Sequence, residues 1–214
     1  MKIDIKGVII PDSDAWIYDY FGEQYTSPSV VANALAEADG DDVDIDINSG
    51  GGDVFSGSEI YSAIRAYTGT VRIHVVGVAA SAASVIACAA KSDISPTAQL
   101  MVHNVSTIAW GNYHDMDNAS QMLQQANRAI AAAYVEKSGM TEEDALALMD
   151  AETWITAQDA VDYGLIDSIA GSKNSVPDGD ASVRLAASVG GMLPPSVINK
   201  MQKRKQALLD YFAN

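Results

Sequence analysis

Basic charge is scarce in this chain of 214 residues: 13 Lys and Arg stand against 28 Asp and Glu, a formal net charge of -15. Nucleic-acid binders need a basic footprint to displace counterions from phosphates, so no nucleic-acid partner is expected. Cysteine is scarcer still. The single thiol, Cys88, has no internal disulfide partner and lies in an apolar run, which suits a buried thiol in a reducing compartment. Long uncharged runs are limited to Ile73 to Ala90, eighteen residues without Asp, Glu, Lys or Arg. That run is rich in alanine and interrupted by Gly77, Ser81 and Ser84, so it reads as a buried strand, turn and helix and not as a membrane span. The opening residues, Met1 to Lys6, alternate polar and apolar like a strand and do not resemble a signal peptide. A soluble, cytoplasmic protein without a membrane partner is expected.

What is present is an ordinary globular composition, 48% hydrophobic and 19% charged, enough to bury a sizeable core. Charge is unevenly placed: residues 1–170 hold 7 basic and 25 acidic residues, whereas 171–214 hold 6 and 3. The break falls in a Gly/Ser/Pro/Asp-rich stretch, 171–180, that has linker composition. The expectation is one compact domain, 1–170, followed by a linker and a basic helical tail, 171–214, carrying Lys200, Lys203, Arg204 and Lys205.

Within the domain, strand and helix patterns alternate, which predicts an α/β fold. Ser27-Pro28 opens a helix that ends before Gly40, and Val43, Ile45 and Ile47 alternate with aspartates as a half-wet strand. Gly50-Gly51-Gly52 is read as a turn into a helix from Val54 to Tyr67. Val71, Ile73 and Val75 form a further strand that Gly77 turns into a helix beginning near Ser81, and Gln99 to His103 is another strand. Apolar spacing predicts an amphipathic helix over Asp115 to Tyr134. Its Ala- and Met-rich stripe fits a subunit contact or packing onto its own domain equally well. Thr141 with Asp144, and Thr156 with Asp159, have the capping-box spacing that opens two more helices.

Two small-residue segments between strand and helix carry the chemical interest. The three glycines at 50–52 allow positive φ and close approach, and leave main-chain N–H groups open to an oxyanion; a plain flexible turn is the alternative. They are not a phosphate loop, because Gly57 is followed by Ser58 and not by lysine. In Gly77 to Ser84, a serine at a helix start flanked by alanines is open to a substrate carbonyl, and is equally a simple N-cap. Ser84, one turn on, is a rival nucleophile placed deeper in the helix. A serine nucleophile needs a base, and the choice is among His74, His103 and His114. His103 ends an apolar strand; His74 sits on a strand's other face and His114 precedes a helix. Asp150 and Glu152, between two helices, are the acids that could orient an imidazole.

Taken together, INSGGGDVFSG (47–57), GVAASAAS (77–84), MVHN (101–104) and ETWITAQDAVDYGLID (152–167) resemble, in order and spacing, the Clp-protease proteolytic subunit family. The likeness spans about residues 15–170. Ala109-Trp110-Gly111-Asn112 and the run from Met149 to Trp154 are similar to its phage and prophage branch, the ClpP-like head maturation (prohead) proteases. This resemblance implies a ClpP/crotonase-like fold of repeated ββα units, serine endopeptidase activity without metal or other cofactor, and a ring-type homo-oligomer of heptameric or stacked rings. By motif position it implies Ser81 as nucleophile, His103 as general base, Glu152 as the orienting acid with Asp150 as alternative, and the Gly52 and Ala82 N–H groups as oxyanion hole.

Three departures from the family pattern stand out. Gly50 replaces the usual proline, Ala82-Ala83 replaces Met-Gly, and Glu152 replaces Asp. The branch implies scaffold or capsid precursor proteins as substrates, in a bacterial host cytoplasm or a procapsid, and cleavage that does not require ATP. An ATPase-coupled degradative subunit with a Clp-type ATPase partner, a crotonase-type acyl-CoA enzyme and a catalytically silent ring-forming protein are the alternatives.

Overall fold

A computed structural model describes residues 1–171 and 195–212. Elements run β1 (Lys2–Ile9), α1 (Ala15–Phe21), β2 (Tyr25–Thr26), α2 (Pro28–Ala38), β3 (Val43–Gly52), α3 (Val54–Ala66), β4 (Val71–Ala80) and α4 (Ala82–Ala87). They continue β5 (Lys91–Ile94), β6 (Gln99–Val102), α5 (Tyr113–Ser138), α6 (Glu142–Asp150), β7 (Thr153–Thr156), α7 (Ala157–Asp162), β8 (Ser168–Ile169) and α8 (Pro195–Phe212). The strands join in one eight-stranded sheet whose main path, β2-β1-β3-β4-β5-β8, is parallel; β6 pairs parallel with the end of β4, and β7 pairs antiparallel with β6. Helical connections between parallel strands make this an α/β fold.

The alternating strands place Ile3, Ile5, Val43, Ile45, Ile47, Ile73 and Val75 in one buried core with Ile60, Ile86 and Leu100. Their polar neighbours line the opposite face, where Lys2 pairs with Asp46 and His74 with Asp93. The core face is sealed by α3 and α4, and by the C-terminal half of α5 through Ile130, Ala131, Ala133 and Tyr134.

A kink level crosses the sheet and determines where the site lies. β1 shifts register at Gly7, and β3 shifts between Ile47 and Ser49. At the same level β4 changes partner: Arg72 to Val75 pair with β5, whereas Val78 to Ala80 pair with β6. Asn48 Oδ1 accepts from Val78 N at 3.2 Å, and a Cβ on Gly77 would stand 2.4 Å from that oxygen. A side chain at Gly77 would displace the Asn48 amide that bonds the strand where it turns away. Ser49, buried, donates its hydroxyl to Gly7 O at 2.6 Å and accepts from Gly51 N at 3.1 Å, tying the bulges together.

The structure corrects two local expectations. The glycine run is not a turn: Gly50 to Gly52 are the last residues of β3, with Gly51 opposite Val8 and Gly52 opposite Ile9 of β1. Gly77 likewise lies inside β4, which continues to Ala80. The expected long helix forms and is longer than its apolar pattern. Asn112 caps its start in a full capping box with Asp115, and Gly139 ends it at φ 76°. Its stripe divides: Met116 and Met122 are exposed, while Ile130 and Tyr134 are buried.

The basic tail helix forms as α8, resting on the small cluster of Ile10, Ile17 and Tyr18 through Ile198 and Met201. Lys205 Nζ lies 5.0 Å from the Trp16 ring centroid and Gln202 donates to Asp14 at 2.9 Å. The linker composition at 172–180 lies outside the described residues. Among the described residues, no helix is long and apolar enough to cross a membrane.

Candidate active site

Strand pairing is what brings the serine and the histidine together. Ser81 N donates to Met101 O at 2.9 Å, extending the β4–β6 ladder by one residue. His103 follows two residues later, on the side of the strand that Met101 faces. The outcome is a hydrogen bond of 2.7 Å between His103 Nε2 and Ser81 Oγ. Neither His74 nor His114 takes part: His74 bonds Asp93 on the sheet's polar face, and His114 is exposed beside Tyr113.

Ser81 itself is strained, with φ 55° and ψ -125° at the junction of β4 and α4. A non-glycine residue at positive φ is uncommon and concentrates at functional sites. Only Asp39, Ser81 and Glu152 share this feature among the described non-glycine residues. The glycine-rich end of β3 passes directly over the junction. A Cβ on Gly51 would come 2.5 Å from Ala80 O, 2.8 Å from Ser81 Cβ and 3.0 Å from Ala82 N. Gly52, at φ 152°, leaves no room either, since its Cβ would lie 2.1 Å from Ile9 O. Asp53 then caps α3, its carboxylate accepting from Ser56 N at 2.7 Å.

These residues border a cleft of about 680 Å³. Its lining includes Gly51, Gly52, Ser81, Ala82 and His103 together with the apolar Met122, Leu123, Ala126 and Ile130 of α5. The cleft thus combines a few convergent polar groups with apolar surface, the usual make-up of a substrate site.

The two acids are placed differently. Asp150 ends α6, and its Oδ1 accepts from Asn104 Nδ2 at 2.6 Å. Glu152 sits just before β7 at φ 48°. Among the described residues its carboxylate forms no hydrogen bond or ion pair, and His103 has no side-chain bond other than the one to Ser81. Ser84, the rival nucleophile, is fully buried. Its Oγ is 2.6 Å from Ser81 O and 2.8 Å from Tyr134 Oη. Cys88 is also buried, and burial pushes its thiol up to about 12. Among the described residues no group of His, Cys, Asp and Glu is arranged to hold a metal ion.

Comparison with known proteins gives this geometry a family. Residues 22–173 match the Clp protease family model. The chain belongs to the Clp protease family. An ATP-dependent Clp protease proteolytic subunit from Bacteroides fragilis is 30% identical over 153 residues, 69% of this chain and 74% of that protein. The ATP-dependent Clp protease proteolytic subunit 1 of Chlamydia abortus is 32% identical over 142 residues, 64% of this chain and 74% of that protein. Among solved structures, a point mutant of ClpP1 from Listeria monocytogenes superposes with a TM-score of 0.65 at 21% identity, covering 80% of this chain and 92% of that one. The expected ClpP/crotonase-like fold is therefore present, and this Clp protease is a serine peptidase.

Sequence reasoning passed over Asn104 and Tyr134. Asn104 was adjacent to a named histidine, but nothing in the sequence pairs it with Asp150, 46 positions on. Tyr134 reads only as one more apolar position of a helix.

Proposed function

We propose that this Clp protease hydrolyses peptide bonds through an acyl-enzyme, with Ser81 as nucleophile, His103 as general base and Glu152 as the acid that orients the imidazole. Asp150 is the alternative acid. The 2.7 Å contact between His103 Nε2 and Ser81 Oγ carries this reading. Ser81 Oγ attacks the scissile carbonyl carbon while its proton passes to His103 Nε2. The tetrahedral intermediate collapses as the C–N bond breaks, and the imidazolium returns the proton to the leaving amine. Water repeats the sequence on the ester and frees Ser81. The N–H groups of Gly52 and Ala82 receive the developing oxyanion, each such donor being worth about 3 kcal/mol in enzymes of this type. No step calls for a metal or an organic cofactor.

Residues 1–170 are proposed to form the peptidase domain and 171–214 an appended linker and basic tail. The working form is a homo-oligomer of heptameric or stacked rings in a bacterial cytoplasm or procapsid. Within the family we assign the head maturation branch, because Ala109-Trp110-Gly111-Asn112 and Met149 to Trp154 are similar to it. The substrates are then scaffold or capsid precursor proteins, cut without nucleotide. The relatives are named ATP-dependent Clp protease proteolytic subunits, which favours a second reading as an ATPase-coupled degradative subunit. Incubating the purified protein with a capsid or scaffold precursor, with no nucleotide, separates the two. Discrete fragments that disappear with Ser81→Ala are expected. Degradation that needs ATP and a Clp-type unfoldase would replace the first reading with the second.

A further inference from the structure

We propose that Ser84 and Tyr134 are positioning residues that hold the main chain of Ser81 in its reactive conformation. The inference rests on the assignment of Ser81 as nucleophile. A serine hydroxyl has one proton, and that of Ser84 goes to Ser81 O at 2.6 Å. The 2.8 Å contact with Tyr134 must therefore be donated by the tyrosine, so the relay runs Tyr134 O–H to Ser84 Oγ, and Ser84 O–H to Ser81 C=O. Both side chains are buried, at 0% and 2% exposure.

The acceptor at the end of the relay is unusual. Ser81 O also receives Ser84 N at 2.9 Å and Val85 N at 3.4 Å, so three atoms of two residues converge on the carbonyl of a residue at φ 55°. Rotation of that peptide would move the Ser81 side chain relative to His103 and turn the Ala82 N–H that follows it. Strain at this residue persists only if the surroundings over-determine it, and the relay is the side-chain part of that determination. It also links two elements 50 positions apart in the chain. Tyr134 belongs to α5, whose apolar residues line the cleft, so one helix both lines the cleft and fixes the nucleophile.

Core packing alone would affect stability without a selective effect on the chemical step, which allows the two roles to be separated. Ser84→Ala leaves the Tyr134 hydroxyl buried without a partner, Tyr134→Phe leaves the Ser84 to Ser81 bond intact, and the double variant removes both hydroxyls. The test is steady-state hydrolysis of a fluorogenic peptide by the assembled full-length protein, with thermal midpoints measured alongside. The expected result for the double variant is kcat lower by about tenfold with KM within about twofold of the parent, as for modest misplacement of a reacting group.

Its pH–rate profile keeps the parent's shape, because the relay moves no proton during the reaction. Tyr134→Phe alone loses about threefold in kcat by the same argument, and it serves if the alanine variants do not fold. A kcat within experimental error of the parent for folded double variant, or for Tyr134→Phe if only that folds, overturns the proposal. Ser81→Ala is run in parallel. If it is inactive while the relay variants match the parent, only this inference fails; if it still cleaves, the nucleophile assignment fails with it.

Discussion

Asn104 Nδ2 donates to Asp150 Oδ1 at 2.6 Å, which binds the acid at the end of α6 to the residue after His103. Asp150 thereby has a partner of its own, and Glu152 is the acid left without one among the described residues. If Glu152 orients the imidazole as proposed, Glu152→Gln is expected to reduce kcat by about 10² to 10⁴, the range set by the loss of an orienting carboxylate. Asp150→Asn is expected to stay within about tenfold of the parent, acting through Asn104 and not through the imidazole. Steady-state kinetics on one peptide substrate compares the two. A larger loss for Asp150→Asn would transfer the orienting role to that residue.

Neighbouring glycines should differ sharply in their tolerance of a side chain. A Cβ on Gly52 would lie 2.1 Å from Ile9 O at a φ of 152°, whereas Gly50 has nothing within 4 Å and an ordinary φ. Gly52→Ala is expected to cost on the order of 2–4 kcal/mol and to abolish hydrolysis, because β1 and β3 must separate to admit the methyl. Gly50→Ala is expected to stay within about 1 kcal/mol of the parent. Urea midpoints with equal slopes check both. Equal midpoints for the two variants would show that the end of β3 is free to move.

The readings that held in the sequence were those governed by local periodicity. Alternating Val43, Ile45 and Ile47 gave a strand, and the spacing of apolar residues through 116–134 gave a helix, because both depend on residues close in the chain. The glycine run reads as a turn because its strand character comes only from pairing with β1, Gly52 with Ile9 more than forty positions away. β5 and β7, four residues each, have no pattern of their own and exist through β4 and β6. In the site, Ser81 and His103 could be named from motif order, but their contact follows from the β4–β6 register. The Ser84–Tyr134 bond carries no sequence signal. A buried tyrosine and a buried serine look the same whether or not they meet.

Outside the cleft, His74 should make stability depend on pH. Its Nδ1 lies 2.9 Å from Asp93 Oδ2 and its Nε2 3.5 Å from Asp44 Oδ1, while Arg72 also reaches Asp44 at 3.8 Å. The hydrogen bond to Asp93 is the main cause of an imidazole pKa above its ordinary 6.5; burial opposes it and the Asp44 charge adds to it. A raised folded pKa means that the ion pair contributes fully below 6.5 and is lost as pH rises through the folded value. His74→Gln is therefore expected to lower the thermal midpoint at pH 5.5 and to change it little at pH 9, with an effect of about 0.2–1 kcal/mol for so accessible a pair. A deficit larger at pH 9 than at pH 5.5 would reverse the assigned sign.

The central claim is that Ser81 is the activated nucleophile, and covalent labelling tests it most directly. A fluorophosphonate probe is incubated with the assembled protein, and the modified residue is located by mass spectrometry of its peptides. Labelling at Ser81, absent in Ser81→Ala and slowed by at least about 10² in His103→Ala, is the expected result. Undiminished labelling of Ser81→Ala, or modification of Ser84 in place of Ser81, would contradict it.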